Sequence, residues 1–308
     1  MTWRRPPFLL LAAGWLTLPF TAGVALPRLL DAAPATRGGR VVAWVLAGIV
    51  YGVGVLGLFR PGAPGLFVLR LGTVGVVLGA AVPAVFVVSP AVAGVLLALT
   101  LFLVALAFSA PVDQTAAEAS AFPGESRFTL AASPGVTWAL APVAAAASVS
   151  GIAAPVLAAS GAFGRAQPLV GVLVAVPGVV ATAFLAPALW RLGRRWLVVV
   201  PSGVVLHDPM LMDDTFRLAP GDVGAVALTT SGWRERLRAP EVLDITAGAR
   251  RALWIGLTAP VVPPGTRPGV PRTGSAVSHV FCAPWARAEA AAALQAKGYP
   301  IADPVGPP

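Results

Sequence analysis

Over roughly its first 190 residues the sequence falls into apolar blocks too long for ordinary globular strands or helices, and these blocks stop at Arg191-Leu192-Gly193-Arg194-Arg195. That pattern constrains the fold more than any motif does. In hydrocarbon the backbone must satisfy its own polar groups, so runs of about 20 apolar residues are read as spanning helices. Six spans are expected: Phe8 to Leu26, Val41 to Phe59, Leu66 to Val88, Ala91 to Ala110, Val136 to Ala159 and Leu169 to Trp190. The third and fourth are joined only by Ser89-Pro90, which predicts a tight helical hairpin.

Composition points the same way. Hydrophobic residues make up 57% of the chain and charged residues 11%, where a globular domain carries about 25% charged residues. Of the 13 acidic residues, only Asp31, Asp113, Glu118 and Glu125 precede Arg191. The net charge of +9 invites a nucleic-acid reading, but the cations are nearly all arginines and many flank apolar blocks, where they set orientation. Nucleic acid is therefore excluded as a partner, and the lipid bilayer is expected instead. A lone cysteine, Cys282, rules out an internal disulfide.

Arginines near the block ends assign the topology. With the N-terminus inside, the cytosolic face collects Arg4, Arg5, Arg60, Arg70, Arg127, Arg191, Arg194 and Arg195. The other face has Arg28, Arg37, Arg40 and Arg165. The positive-inside rule then predicts a multi-pass protein of the bacterial inner membrane with the N-terminus and the tail cytosolic. A rival reading makes the first block a secretory signal, since Arg4-Arg5 precede it and Gly23-Val24-Ala25 ends in small residues. Within the blocks, Arg70 lies about one turn from an end, where it can snorkel to headgroups. Two glycine pairs, Gly48 with Gly52 and Gly75 with Gly79, have the spacing of close helix contacts. The segment from Pro111 to Pro134 reads as a solvated loop.

Beyond Arg194 the periodicity changes to short β-type runs. Strands are predicted at Trp196 to Val200, Val204 to His207, Thr215 to Leu218, Val223 to Thr229, Glu241 to Thr246, Ala252 to Thr258 and Ser278 to Phe281. A helix opens at Pro284, runs through Lys297 and is closed by Gly298. The division is thus a transmembrane helical domain over 1–192 and an all-β domain with a terminal helix over 193–308. The run Arg194-Arg195-Trp196-Leu197-Val198-Val199-Val200-Pro201-Ser202-Gly203-Val204-Val205-Leu206-His207-Asp208-Pro209, with the helix Trp285 to Lys297, resembles bacterial pleckstrin-homology-like (PH-like) domains. It is similar to the tails of multi-span actinobacterial proteins. The resemblance implies a β-sandwich or partly open barrel beside a C-terminal helix, and no established activity. The Pro-rich stretch from Ala259 to Thr273 departs from a compact version of that fold.

Candidate chemistry is sparse. His207-Asp208 sit at a strand end, where adjacent side chains point to opposite faces and cannot act as a pair. Asp213-Asp214 lack the six or more oxygens a hard cation needs. Cys282 has no base nearby in sequence. There is no phosphate-binding glycine loop, no metal-ligand spacing and no nucleophile elbow, so neither an enzyme, a cofactor nor a metal is expected. The remaining feature is cationic: Arg191, Arg194, Arg195, Arg234, Arg236, Arg238, Arg250 and Arg251 form a candidate surface for anionic headgroups or a protein partner. The expected function is a membrane-anchored PH-like domain that binds a partner protein or the anionic leaflet, in a scaffolding or regulatory role. The alternative is a permease or transporter subunit.

Overall fold

The structure, a computed structural model, describes residues 6–32, 37–59, 62–73, 90–131, 191–230, 241–265 and 276–302, with individual helical positions between 169 and 190. The chain divides into two compact units, one of residues 1–115 and 138–190, the other of residues 116–137 and 191–308.

The first unit is helical. Its described helices are α1 (Pro6–Ala32), α2 (Arg37–Phe59), α3 (63–73), α4 (Pro90–Ala107) and the start of α5 (Ala110–Ala119). Among the described residues no helix is long and apolar enough to cross a membrane. The expected six-span bundle, and with it the multi-pass inner-membrane location, is corrected on that finding. The blocks and the helices do not coincide. The block from Ala91 to Ala110 is broken at Phe108-Ser109, which leaves α4 with 18 residues. At about 1.5 Å per residue it reaches roughly 27 Å, short of a core of about 30 Å. α1 runs past its apolar block over Arg28 and Asp31, and α2 starts on Arg37 and takes in Arg40. Of the expected third span, α3 accounts for the part up to residue 73, and the span from 136 to 159 lies outside the described residues.

What packs this unit is the indole of Trp15, fully buried with Leu11, Leu69 and Leu103. Glycines make room for it: a Cβ on Gly54 would lie 2.1 Å from the Trp15 ring, and one on Gly72 3.1 Å away. Gly48 and Gly52, singled out by their spacing, have nothing within 4 Å of an added Cβ. Gly75 and Gly79 lie outside the described residues. Leu9, Leu16 and Phe20 of α1 and Trp44, Ile49 and Phe59 of α2 are exposed in the isolated chain.

Among the described residues the second unit is built of two four-stranded sheets and a helix. The first sheet has the order β1-β2-β3-β4, all antiparallel: β1 (Ser126–Thr129), β2 (Trp196–Val200), β3 (Gly203–His207) and β4 (Phe216–Leu218). The second has the order β5-β7-β8-β6: β5 (Val223–Thr230), β6 (Val242–Asp244), β7 (Arg251–Val261) and β8 (Val277–Cys282). Here β6 pairs parallel to β8 and the other neighbours are antiparallel. Alternation sends Leu197, Val199, Val204, Leu206, Phe216 and Leu218 of the first sheet onto Val226, Leu253, Ile255 and Val280 of the second. The helix α6 (Arg287–Ala296) closes this core with Ala290 and Leu294.

Seven of these strands lie close to their expected positions. The eighth, β1, comes from the stretch read as a solvated loop, which instead holds α5 and an edge strand. Its four residues pair with β2 from Ser126↔Val199 to Thr129↔Trp196. The Pro-rich stretch does not prevent the last pairing: β7 continues to Val261, which meets Val277 after a register shift.

Candidate binding cleft

Three arginines of the described structure, Arg70, Arg127 and Arg195, are occupied in holding it together. Arg70, expected to snorkel, is instead only 3% exposed. It donates from Nε to the Ala107 carbonyl at 2.9 Å, pairs with Asp113, and lies 4.9 Å from the Phe108 ring centroid. Burial raises the pKa of the Asp113 carboxyl against the pull of Arg70. The helix break at Phe108-Ser109 is what brings Asp113 back towards α3, so this pair fastens α3 to α4 and α5.

Arg195 is the counterpart in the second unit. It donates to Asp208 Oδ2 from Nε at 2.9 Å and from Nη2 at 2.7 Å. It also reaches the carbonyls of Ala131 and Ile245, at 2.8 and 3.3 Å. Both partners are buried. Arg195 therefore ties both sheets and the start of the turn after β3 together, and it is not available to a headgroup. Arg127 bonds Glu125 at 2.6 Å and covers the Trp196 ring at 4.8 Å. Burial opposes ionisation of Glu125, but the bonds from Arg127 and the Phe122 amide outweigh it and lower the carboxyl pKa.

His207 and Asp208 part company, as adjacent strand residues must. The His207 ring lies against Trp196 at 5.8 Å and Nδ1 is 3.1 Å from the Thr215 hydroxyl, while Asp208 turns inward to Arg195. Burial, with Arg194 nearby, lowers the His207 pKa and leaves the ring neutral at pH 7. Asp214 accepts the amide of Thr215, and the Asp213 amide bonds the Gly265 carbonyl. Among the described residues no group of three His, Cys, Asp or Glu side chains could hold a metal. Burial raises the Cys282 thiol pKa well above its usual value, so at neutral pH it is a protonated core residue.

Of the cationic cluster, Arg234, Arg236 and Arg238 lie outside the described residues. Arg191, Arg250 and Arg251 are exposed and Arg194 is half-buried. Of these, Arg251 lines a concave surface. A cleft of about 500 Å³ opens where the end of β5 and the start of β7 meet the beginning of α6. Its walls are Leu228, Thr229, Arg251, Ala252 and the run Trp285-Ala286-Arg287-Ala288-Glu289. Local structure explains the convergence. Strand pairing sets Thr230 opposite Arg251 and Leu228 opposite Leu253. The chain then returns from β8 along β1, with the Trp285 amide on the Thr129 carbonyl at 2.8 Å, and turns into α6 beside that strand end.

The chemistry of the cleft is mixed. Trp285 is 53% exposed and Leu228 40% exposed. Among the described residues neither Arg251 nor Arg287 has an ion-pair partner, unlike Arg70, Arg127 and Arg195. Glu289 is the one acidic residue of the lining. Two guanidinium groups beside an indole face and a leucine suit a ligand that is at once anionic and partly apolar. Sequence reasoning found Arg251 but missed Arg287, Trp285 and Leu228. The signal that was present was an Arg three residues after Pro284 at the start of a helix, two residues after Trp285. No family model, curated protein or solved structure matches this chain.

Proposed function

We propose that the two-sheet unit is a binding module for a protein partner, and that it takes an acidic segment of that partner in the cleft between Leu228, Arg251, Trp285 and Arg287. The observation that carries this reading is the contrast among the arginines. Arg70, Arg127 and Arg195 are held in ion pairs, whereas among the described residues Arg251 and Arg287 have no ion-pair partner and line the cleft next to exposed apolar surface. The concave shape favours a peptide over a flat leaflet. A charge-assisted hydrogen bond contributes about 1.5–3 kcal/mol, enough for two such contacts to decide whether a short peptide binds.

The test is calorimetric titration of the full chain with an eight-residue peptide of alternating Glu and Val. Binding is expected, and the double variant Arg251→Gln, Arg287→Gln should weaken it by about tenfold or more, since each tenfold step needs only about 1.4 kcal/mol. Arg250→Gln, one residue away but outside the cleft, should change it by less than about twofold. Equal weakening by Arg250→Gln would reduce the effect to general charge. Retention on anionic vesicles that is stronger than peptide binding, and is lost in the double variant, would assign the cleft to a leaflet instead.

A further inference from the structure

The cleft adjoins a strand edge on which the described residues place a single rung. β5 is the edge strand of its sheet, paired along its length with β7. On its other side the chain's last described residues add a single parallel rung. The Val226 amide bonds the Pro300 carbonyl at 2.8 Å, and the Ala302 amide bonds the Val226 carbonyl at 2.8 Å. Because backbone groups alternate along a strand, the residue whose N–H and C=O next face this edge is Leu228. A continuing parallel ladder would join the Leu228 amide to the Ala302 carbonyl, and the amide of residue 304 to the Leu228 carbonyl. Among the described residues no hydrogen bond joins Leu228 to Ala302. Position 304 is Pro304, which has no N–H to donate. Among the described residues the ladder has this one rung, Pro304 cannot donate the next amide in that register, and Leu228, on the same edge, also lines the cleft with Arg251 and Arg287.

We propose that the acidic partner segment binds by adding a strand to β5 at Leu228–Thr230, its backbone pairing with the edge groups beyond Val226 and its carboxylates meeting Arg251 and Arg287. This rests on the reading of the cleft given above and names the mode of recognition. Unpaired edges are templates for another strand, and main-chain pairing supplies affinity while the neighbouring side chains supply selectivity.

Backbone N-methylation of the peptide separates the two ideas. The same peptide methylated at every second amide removes donors from one edge, and a second version methylated in the other register removes them from the opposite edge. One version should lose about tenfold or more in affinity and the other should keep that of the parent, because only the amides facing β5 can donate to it. Hydrogen exchange followed by NMR should show the Leu228 amide exchanging fast in the free chain and protected in the complex. Two equally good methylated peptides with an unprotected Leu228 amide would overturn strand addition and leave the acidic cleft standing. Failure of the parent peptide to bind would overturn both. A concentration-dependent dimer that protects Leu228 without any peptide would give the edge to a second copy of this chain and overturn the proposal.

Discussion

Arg195 and Asp208 show how a charged pair can be structural at the residue scale. Neither could serve the solvent, since Arg195 is 3% exposed and its partner's side chain 0%. Removing one member leaves the other charge buried and uncompensated, at a cost of about 3–5 kcal/mol, whereas replacing both by apolar residues of similar volume is often neutral. Asp208→Ala is therefore expected to lower the urea midpoint of the second unit sharply. Arg195→Met together with Asp208→Leu should recover most of the loss. Equilibrium unfolding followed by tryptophan fluorescence checks this, and a double variant no better than the single one would show that the carbonyls of Ala131 and Ile245 depend on the guanidinium. The sequence placed Arg195 in a cationic run beside Arg191 and Arg194; only the pairing of Trp196 with His207, which puts Asp208 next to residue 195, takes it out of that run.

Among the elements, the hairpin of β2 and β3 is the most legible in the sequence and the most exacting in its turn. Val200 pairs with Gly203, so only Pro201 and Ser202 connect the strands. Gly203 has φ +143°, and a Cβ there would lie 2.2 Å from the Leu218 carbonyl of β4. Gly203→Ala must both adopt a disfavoured backbone and push β4 aside. A backbone outlier of this kind costs about 1–3 kcal/mol before the clash is added. The variant is expected to melt earlier by roughly 3 °C or more, at about 2–4 °C per kcal/mol for a domain of this size. A scanning calorimeter tests it, and an unchanged transition would mean that β4 moves aside at no cost. The two strands announce themselves by unbroken valines and leucines, but β1 does not. Ser126-Arg127-Phe128-Thr129 has only one large apolar residue, and its pairing partner lies some 70 positions away.

At the scale of the whole molecule, the second unit is discontinuous: residues 116–137 belong with 191–308. A fragment of residues 193–308 alone therefore lacks β1, and the strand β2 it would have covered becomes an open edge carrying Trp196 to Val200. Such an edge invites association. The fragment is expected to be less stable than one in which residues 116–137 are joined by a flexible linker ahead of residue 191. It should also aggregate at lower concentration. Circular dichroism melts and sedimentation velocity on the two versions compare them directly, and indistinguishable behaviour would show that β1 adds nothing to the fold.

The sequence by itself determined the local elements of the tail, because strand alternation and helix stops are properties of neighbouring residues. Trp196 to Val200, Val223 to Thr230 and the Gly298 stop after α6 are cases of this. It also marked the change of character at Arg191, since that is a change of composition. The helical half was decided otherwise. The break at Phe108-Ser109, and the return of Asp113 to Arg70, follow from which carboxylate a buried guanidinium can reach, and no window of hydropathy contains that distance. The cleft belongs to the same class. Arg251 and Arg287 are far apart in sequence and enter one surface only because β8 leads the chain back along β1 and into α6 at the end of β5. Long-range pairing decides which cations are spent inside the fold and which are left to meet a partner.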